Sequence, residues 1–152
     1  MNAIDLLKED HDRVEKLFEQ FKANEEGDNA DLAQRITEEL EVHAHIEETI
    51  FYPRLIEEGD EELKSIVEEG IEEHRQVKMF LTEMKNLSDG SEKLNAKLKV
   101  VVEDVEHHVE EEEGEMFTMV EEQFDEDVLN ELGAEMEKEK QSFKKGSAAS
   151  GR

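Results

Sequence analysis

The chain contains no cysteine, and this absence removes several kinds of chemistry. Disulfide bonds, thiolate zinc sites, iron–sulfur clusters and cysteine nucleophiles all need that side chain. The sequence also lacks a GxGxxG or GKS/GKT phosphate-binding loop, and no serine stands in a tight glycine turn. We therefore do not expect nucleotide-dependent or serine-hydrolase chemistry.

Basic residues are few relative to acidic ones. The chain carries 18 lysines and arginines against 44 aspartates and glutamates, so its formal net charge is −26. Nucleic acids and anionic membrane surfaces are bound by clustered lysine and arginine, so neither is an expected partner. We interpret the acidity as a solubility feature; a salt-rich habitat or a basic partner protein is the alternative.

Long apolar runs are also missing. No segment approaches the ~20 residues of a membrane-spanning helix. The N-terminal residues have no basic region followed by an apolar core, which a signal peptide would show. The expected location is the cytoplasm. The sequence does not define the oligomeric state, and we take a monomer as the default expectation.

The remaining composition favours helices, because the chain has one proline and is rich in glutamate, lysine and leucine. Apolar residues recur at helical spacing in four segments, separated by the polar turns "NEEGDNAD", "EEGDEE" and "LSDGSE". This pattern predicts an all-α, antiparallel up-down-up-down four-helix bundle over residues 1–122. A further amphipathic segment at 128–143 predicts a short C-terminal helix, within 123–145, that packs on the bundle. Residues 146–152 are predicted to form a flexible tail.

Polar residues interrupt each apolar stripe at positions that face the core. Positions i and i+4 lie on one helix face, so a histidine and a glutamate one turn later point inward together. A buried glutamate is costly unless it is paired or binds a metal. The inward polar residues are His11, His43, Glu47, His74, His108 and Glu112.

The chain also repeats itself. "HAHIEETIFYP" aligns with "HVEEEEGEMFT", and "DHDRVEKLF" aligns with "EHRQVKMFL". The first two helices therefore resemble the last two, and the bundle is predicted to have approximate two-fold symmetry.

The repeat also decides the register of the acidic stretch "HHVEEEEGEMF". His107 and Glu111 are spaced like His108 and Glu112, but only the second pair continues the stripe that includes Val105. The first pair is rotated by about 100° and is predicted to face solvent. The pair that faces the core is therefore His108 and Glu112.

Four imidazoles and two carboxylates on facing helices suit two metal ions better than one. Bridging carboxylates with nitrogen ligands and open positions favour iron or manganese, although zinc, copper or nickel would also accept imidazole. A single histidine on an apolar face is more often a hydrogen-bonded core residue, but four at matched positions favour ligation. His45 lies off the stripes and is expected at the surface or behind a ligand. Glu48 and Glu113 recur in both copies and could orient ligands.

Tyr52, the only tyrosine, lies five residues beyond Glu47 and next to Pro53. On an ideal helix it would not share the ligand face. A kink at the proline would turn it inward, as a hydrogen-bond donor or a ligand.

The sequence resembles the hemerythrin-like, HHE cation-binding family over roughly residues 4–122. The resemblance rests on four segments that occur in this order: "EDHDRVEKLF", "HAHIEETIFYP", "EEHRQVKMFL" and "HHVEEEEGEMF". The resemblance implies a four-helix bundle that holds a non-heme di-iron centre, Fe–O–Fe, bridged by carboxylates. By match, the iron ligands would be His11, His43, Glu47, His74, His108 and Glu112, with Glu47 and Glu112 as bridges.

The sequence departs from the animal oxygen carriers of that family. Those carriers have a second histidine one turn after the third-helix histidine, and this chain has Lys78 at that position. They also have an aspartate on the fourth helix, and this chain has Glu112 in its place. The missing ligand is expected to leave open or water-filled metal positions. This favours reaction with a peroxide or small diatomic ligand: catalase-like peroxide decomposition, or nitric oxide or oxygen chemistry. The alternatives are reversible oxygen or nitric oxide binding or sensing, and iron storage or delivery.

Overall fold

A computed structural model describes residues 1–87 and 92–150, with side chains up to residue 146. Within these ranges the chain is helical and contains no strand, which confirms the predicted fold class. The predicted turn "LSDGSE" falls largely on residues 88–91, outside the described residues. The α-helices are α1 (Ala3–Lys22), α2 (Ala30–Ile46), α3 (Tyr52–Glu58), α4 (Glu61–Lys85), α5 (Glu92–Glu111), α6 (Phe117–Gln123) and α7 (Glu126–Ser150).

Two five-residue π-helical turns each join a pair of consecutive α-helices into one continuous rod. The first turn, Glu47–Phe51, joins α2 to α3, and the second, Glu112–Met116, joins α5 to α6. The bundle therefore consists of four rods: α1, α2 with α3, α4, and α5 with α6.

Capping residues begin and end the helices where the chain enters or leaves a rod. The Asn2 side chain accepts a hydrogen bond from the backbone N–H of Asp5 at the start of α1. The backbone of Gly59 is extended and ends α3, and the Asp60 side chain then accepts from the N–H of Leu63 to begin α4. Such caps satisfy N–H groups that have no partner inside the helix. The two-residue connection forces α4 to run antiparallel to α3.

The C-terminal helix α7 packs on one side of the bundle, against α1 and α2. Its side chains Leu129, Leu132 and Met136 are buried in the apolar core, as their spacing predicts. The helix is longer than predicted. Its backbone continues through 146–150, where alanines favour helix and no proline stops it, and residues 151 and 152 lie outside the described residues.

Two apolar clusters fill the bundle, one towards each end. One contains Leu7, Phe51 and Val67 together with the buried face of α7. The other contains Val14, Leu40 and other side chains from the opposite end. Along each rod the inward histidine lies between residues of these two clusters. The four inward histidines, with Glu47 and Glu112, form a polar layer across the bundle. Apolar side chains enclose this layer above and below.

None of the helices in the described ranges is both long and apolar enough to cross a membrane.

Candidate metal centre

Each of the four rods contributes one buried histidine to the polar layer: His11, His43, His74 and His108. The rings form two pairs of nearly the same geometry. His11 and His43 have centroids 4.9 Å apart at an interplanar angle of 61°, and His74 and His108 have centroids 5.0 Å apart at 64°. The structure therefore has the two-fold character that the repeat predicts, and each pair defines one half of the site.

The carboxylates of Glu47 and Glu112 lie between these halves and are 0% and 1% exposed. Glu47 Oε1 is 3.4 Å from Nε2 of His43 and 3.0 Å from Nε2 of His74. Glu112 reaches the halves with different oxygens, because Oε1 is 3.1 Å from Nε2 of His11 and Oε2 is 3.3 Å from Nε2 of His108. Each carboxylate thus faces both halves.

Several of these buried atoms have no hydrogen-bond partner among the described residues. An unpartnered polar atom in a protein interior is costly and needs an explanation. The donor atoms also lie close together: those of His11, His43, Glu47 and Glu112 fall within 4.8 Å of one another, as do those of Glu47, His74 and His108. A pair of metal ions would satisfy both observations, so the donor set fits a metal site. The unpartnered atoms in this layer are Nε2 of His11, Nε2 of His43, both oxygens of Glu47 and Oε1 of Glu112.

The glutamates that recur in the repeat lie directly behind two of the histidines. Oε2 of Glu113 is 2.6 Å from Nδ1 of His11, and Oε2 of Glu48 is 2.7 Å from Nδ1 of His74. An Nδ1–H that donates to a carboxylate leaves the Nε2 lone pair directed at the centre. The two glutamates are therefore placed to orient these rings, as the sequence suggested.

The carboxylates behind the other two histidines were missed by sequence reasoning. Oδ2 of Asp10 is 3.0 Å from Nδ1 of His43, and Oε1 of Glu73 is 2.5 Å from Nδ1 of His108. A signal was available, because the aligned segments "DHDRVEKLF" and "EHRQVKMFL" both place an acidic residue immediately before a histidine. All four rings thus have the carboxylate–histidine arrangement common at metal sites.

The buried carboxylates of the layer raise the pKa of two of its imidazoles to well above the usual value. Burial lowers the pKa of His43, but the carboxylates of Glu47 and Asp10 outweigh it and raise that pKa to about 10. Burial likewise lowers the pKa of His108, which Glu112 and other carboxylates raise to about 11. Burial alone would raise the pKa of Glu112, yet its histidine partners hold it well below the usual value. The carboxylates of the layer therefore favour positive charge beside them, which a bound cation would supply in place of imidazole protons.

The π-helical turns explain which aromatic side chains reach the layer. The backbone N–H of Tyr52 donates to the carbonyl of Glu47, and that of Phe117 donates to the carbonyl of Glu112. This wider turn brings residue i+5 round to the face of residue i, so Tyr52 points inward. Its hydroxyl donates to Oε2 of Glu112 at 2.6 Å. π-Turns inside α-helices often mark functional sites.

Tyr52 is turned inward as a hydrogen-bond donor, and a turn of this kind does not require a proline. The second copy has Thr118 at the position that matches the proline, and it forms the same π-helical turn. The wider turn, present in both copies, is what carries Tyr52 to the ligand face.

Tyr52 makes the two halves different. Its hydroxyl oxygen lies 3.3 Å from Nε2 of His74 and 3.4 Å from Nε2 of His108. In the other half the matching residue, Phe117, has no hydroxyl and stacks on His11, with ring centroids 6.0 Å apart.

The sequence predicted open or water-filled positions because Lys78 replaces a family histidine. Lys78 is half-exposed and forms an ion pair with Glu48. The Tyr52 hydroxyl nevertheless adds a donor atom to the half that contains His74 and His108, so this half has more protein donors than the sequence suggested.

The remaining histidines lie outside the layer. The His107 side chain is 67% exposed and pairs with Glu111 at 2.5 Å, in keeping with the predicted register. These two residues and Glu73 could together approach a cation, but they are at the surface and Glu73 already contacts His108. His45 is partly buried and contacts α7 through Glu139.

A small cavity of about 50 Å³ adjoins the layer. Its walls include the four histidines together with apolar side chains such as Val14, Leu40 and Val105. This volume holds only a few molecules of the size of water.

The chain belongs to the hemerythrin HHE cation-binding domain family, whose sequence profile matches residues 2–120. The suspected family resemblance is thereby confirmed, and the protein is a metal-binding protein of this class. A crystal structure of an HHE cation-binding domain-containing protein from Mycobacterium kansasii is similar, with a TM-score of 0.76 and 25% sequence identity. That similarity covers 100% of this chain and 95% of the other.

A curated relative from Nostoc sp. (strain PCC 7120 / SAG 25.82 / UTEX 2576), named DNA nickase, is 27% identical over 124 residues. The match covers 79% of this chain but only 34% of the relative, so the chain spans about a third of that protein's length.

Proposed function

We propose that the polar layer holds two iron ions and that the protein decomposes hydrogen peroxide. The observation that carries this proposal is the convergence of buried donor atoms from both halves on one space, with Glu47 and Glu112 each facing both halves. The carboxylate oxygens of Glu47 and the Nε2 atoms of His11 and His43 are among the atoms there without a hydrogen-bond partner. Surface acidity cannot account for carboxylates that are fully buried. Cations held between them would.

The donors divide naturally between two ions. His11 and His43 would hold one ion, and His74 and His108 would hold the other with the Tyr52 oxygen. Glu47 and Glu112 would bridge the pair. Imidazole, carboxylate and phenol donors suit iron, and they would also accept manganese or zinc. When bound, the iron pair supplies Lewis acidity and exchangeable electrons.

Peroxide decomposition suits this chain because it needs no other co-reactant. Two molecules of hydrogen peroxide give one of dioxygen and two of water. The cavity of about 50 Å³ next to the four rings has room for a molecule of that size. The carboxylates behind the rings hold each imidazole in one orientation while substrate enters and product leaves.

The test is oxygen release by the iron-loaded protein after addition of peroxide, followed with an oxygen electrode. We expect steady oxygen evolution by the wild type and its loss in His74→Ala, which removes a donor from one half. His107→Ala is the matched control: it removes an exposed histidine and should keep the wild-type rate. If the iron-loaded wild type releases no oxygen, or if His74→Ala is as active as the wild type, the peroxide proposal is wrong.

A second candidate, reversible binding of oxygen or nitric oxide, is favoured by the apolar part of the cavity wall. Val14, Leu40 and Val105 offer no hydrogen bond to a polar molecule such as peroxide. This function would give a spectral change that appears with the gas and reverses when the gas is removed, without net oxygen release from peroxide.

A further inference from the structure

The C-terminal helix α7 places a lysine inside the protein. Lys140 is only 6% exposed, although lysine is seldom buried unless it is paired. It continues the buried face of α7 one turn after Met136, at a position where an apolar residue would be expected. Its Nζ lies 2.5 Å from Oδ1 of Asp10, which is itself 3% exposed.

Asp10 connects this lysine to the polar layer. Its Oδ1 accepts hydrogen bonds from Lys140 and from Arg13, the latter at 2.7 Å. Its Oδ2 faces Nδ1 of His43 at 3.0 Å. A chain of direct contacts therefore runs from the C-terminal helix to a ring whose Nε2 faces the metal site.

Neighbouring contacts hold α7 at the same level of the bundle. Oε2 of Glu139 is 2.7 Å from Nε2 of His45, and the ring of Phe143 stacks on that histidine with centroids 4.3 Å apart. His45 lies on α2, two residues after His43. The register of α7 against the helix that carries His43 is thus defined on both sides of Lys140.

The equivalent carboxylate in the other half has no such support. Glu73 faces His108 as Asp10 faces His43, but its side chain is 26% exposed. Among the residues described, no lysine or arginine forms an ion pair with it. The C-terminal helix therefore supports the ring contacts of only one half.

We propose that Lys140 is a positioning residue that fixes His43 through Asp10, so that the C-terminal helix determines metal retention in the His11–His43 half alone. This inference rests on the proposed two-metal site. Without the lysine, the buried Asp10 carboxylate keeps Arg13 as its only lysine or arginine partner among the described residues and is held less firmly. The Asp10 oxygen that faces Nδ1 of His43 then orients that ring less firmly. Loss of such a partner behind a metal ligand typically weakens metal binding by about 10- to 100-fold.

The experiment uses the full chain loaded with zinc, and competition with a chelator reports how tightly each ion is held. In Lys140→Met we expect one of the two zinc ions to be held about 10-fold or more weakly, with the other unchanged. Lys140→Arg should restore most of the loss. Lys144→Met, which removes an exposed lysine one turn later on the same helix, is the matched control and should behave as the wild type.

A second readout identifies the half that changes. Nitrogen-15 spectra of the zinc-loaded protein should show the Nδ1–H signal of His43 shifted and exchanging faster with water in Lys140→Met. The His108 signal should stay in place. If Lys140→Met does not fold, the double variant Asp10→Asn, Lys140→Met is used instead. It removes both charges of this buried pair, so neither is left without a partner. The same loss of one ion is expected.

Three results would overturn the inference. They are an equal weakening of both ions, unchanged binding of both, or a shift of the His108 signal instead of the His43 signal. A wild-type protein that binds fewer than two zinc ions would instead contradict the proposed two-metal site, and with it this inference. The wild-type measurement therefore separates the two failures.

Discussion

Replacing Glu112 with alanine is expected to remove both metal ions, whereas replacing the neighbouring Glu111 should leave both in place. Glu112 is fully buried, and its two oxygens point to opposite halves, 3.1 Å from Nε2 of His11 and 3.3 Å from Nε2 of His108. Its loss removes a donor from each half at once. Glu111 is partly exposed and pairs with exposed His107.

The measurement is metal per chain after iron loading and removal of free metal by gel filtration. Less than about one-tenth of the wild-type content is expected for Glu112→Ala, and wild-type content for Glu111→Ala. Circular dichroism of both variants checks that the bundle has formed. If Glu111→Ala loses the metal while Glu112→Ala keeps it, Glu111 rather than Glu112 faces the core and the assigned helix register is wrong.

Tyr52→Phe is expected to abolish a visible absorption band of the iron-loaded protein. The hydroxyl lies 3.3 and 3.4 Å from Nε2 of His74 and His108, so its oxygen can join an ion held in that half. In the metal-free protein burial, together with the carboxylates of Glu112 and Glu47, raises the pKa of Tyr52 well above its usual value, so the phenol keeps its proton. A bound cation would reverse this preference and favour the phenolate, and a phenolate on iron(III) would give a charge-transfer band in the visible range.

The chain suits this experiment because Tyr52 is its only tyrosine, so any phenolate band must come from it. Phenylalanine should be tolerated there, since Phe117 occupies the matching position after the second π-helical turn. Equal iron content in wild type and variant is the control. Identical visible spectra at equal iron content would show that Tyr52 only donates a hydrogen bond to Glu112.

Sequence periodicity was enough to predict the bundle and the six inward polar residues. Each histidine replaces an apolar residue in a stripe of helical spacing, and the repeat selects His108 and Glu112 over His107 and Glu111. These features depend on local spacing along one helix, which a sequence displays directly.

The π-helical turns could not be predicted in the same way. They arise from one extra residue in a helical turn, and no residue type marks that change. The aromatic residue five positions after each inward glutamate, Tyr52 and Phe117, was the available signal. Helical spacing of 3.6 residues assigns that position to a different face.

The contacts behind the ligands depend on tertiary packing. Asp10 and Glu73 directly precede His11 and His74, yet each orients a histidine of another helix, His43 or His108. Spacing within one helix does not indicate such pairs.

Iron content per chain, with the near-ultraviolet spectrum of the same sample, tests the central claim most directly. The protein should be produced with iron supplied during expression. We expect two iron ions per chain and a strong near-ultraviolet charge-transfer band. One iron or none, without that band, would contradict the di-iron assignment and remove the basis for the proposed peroxide chemistry.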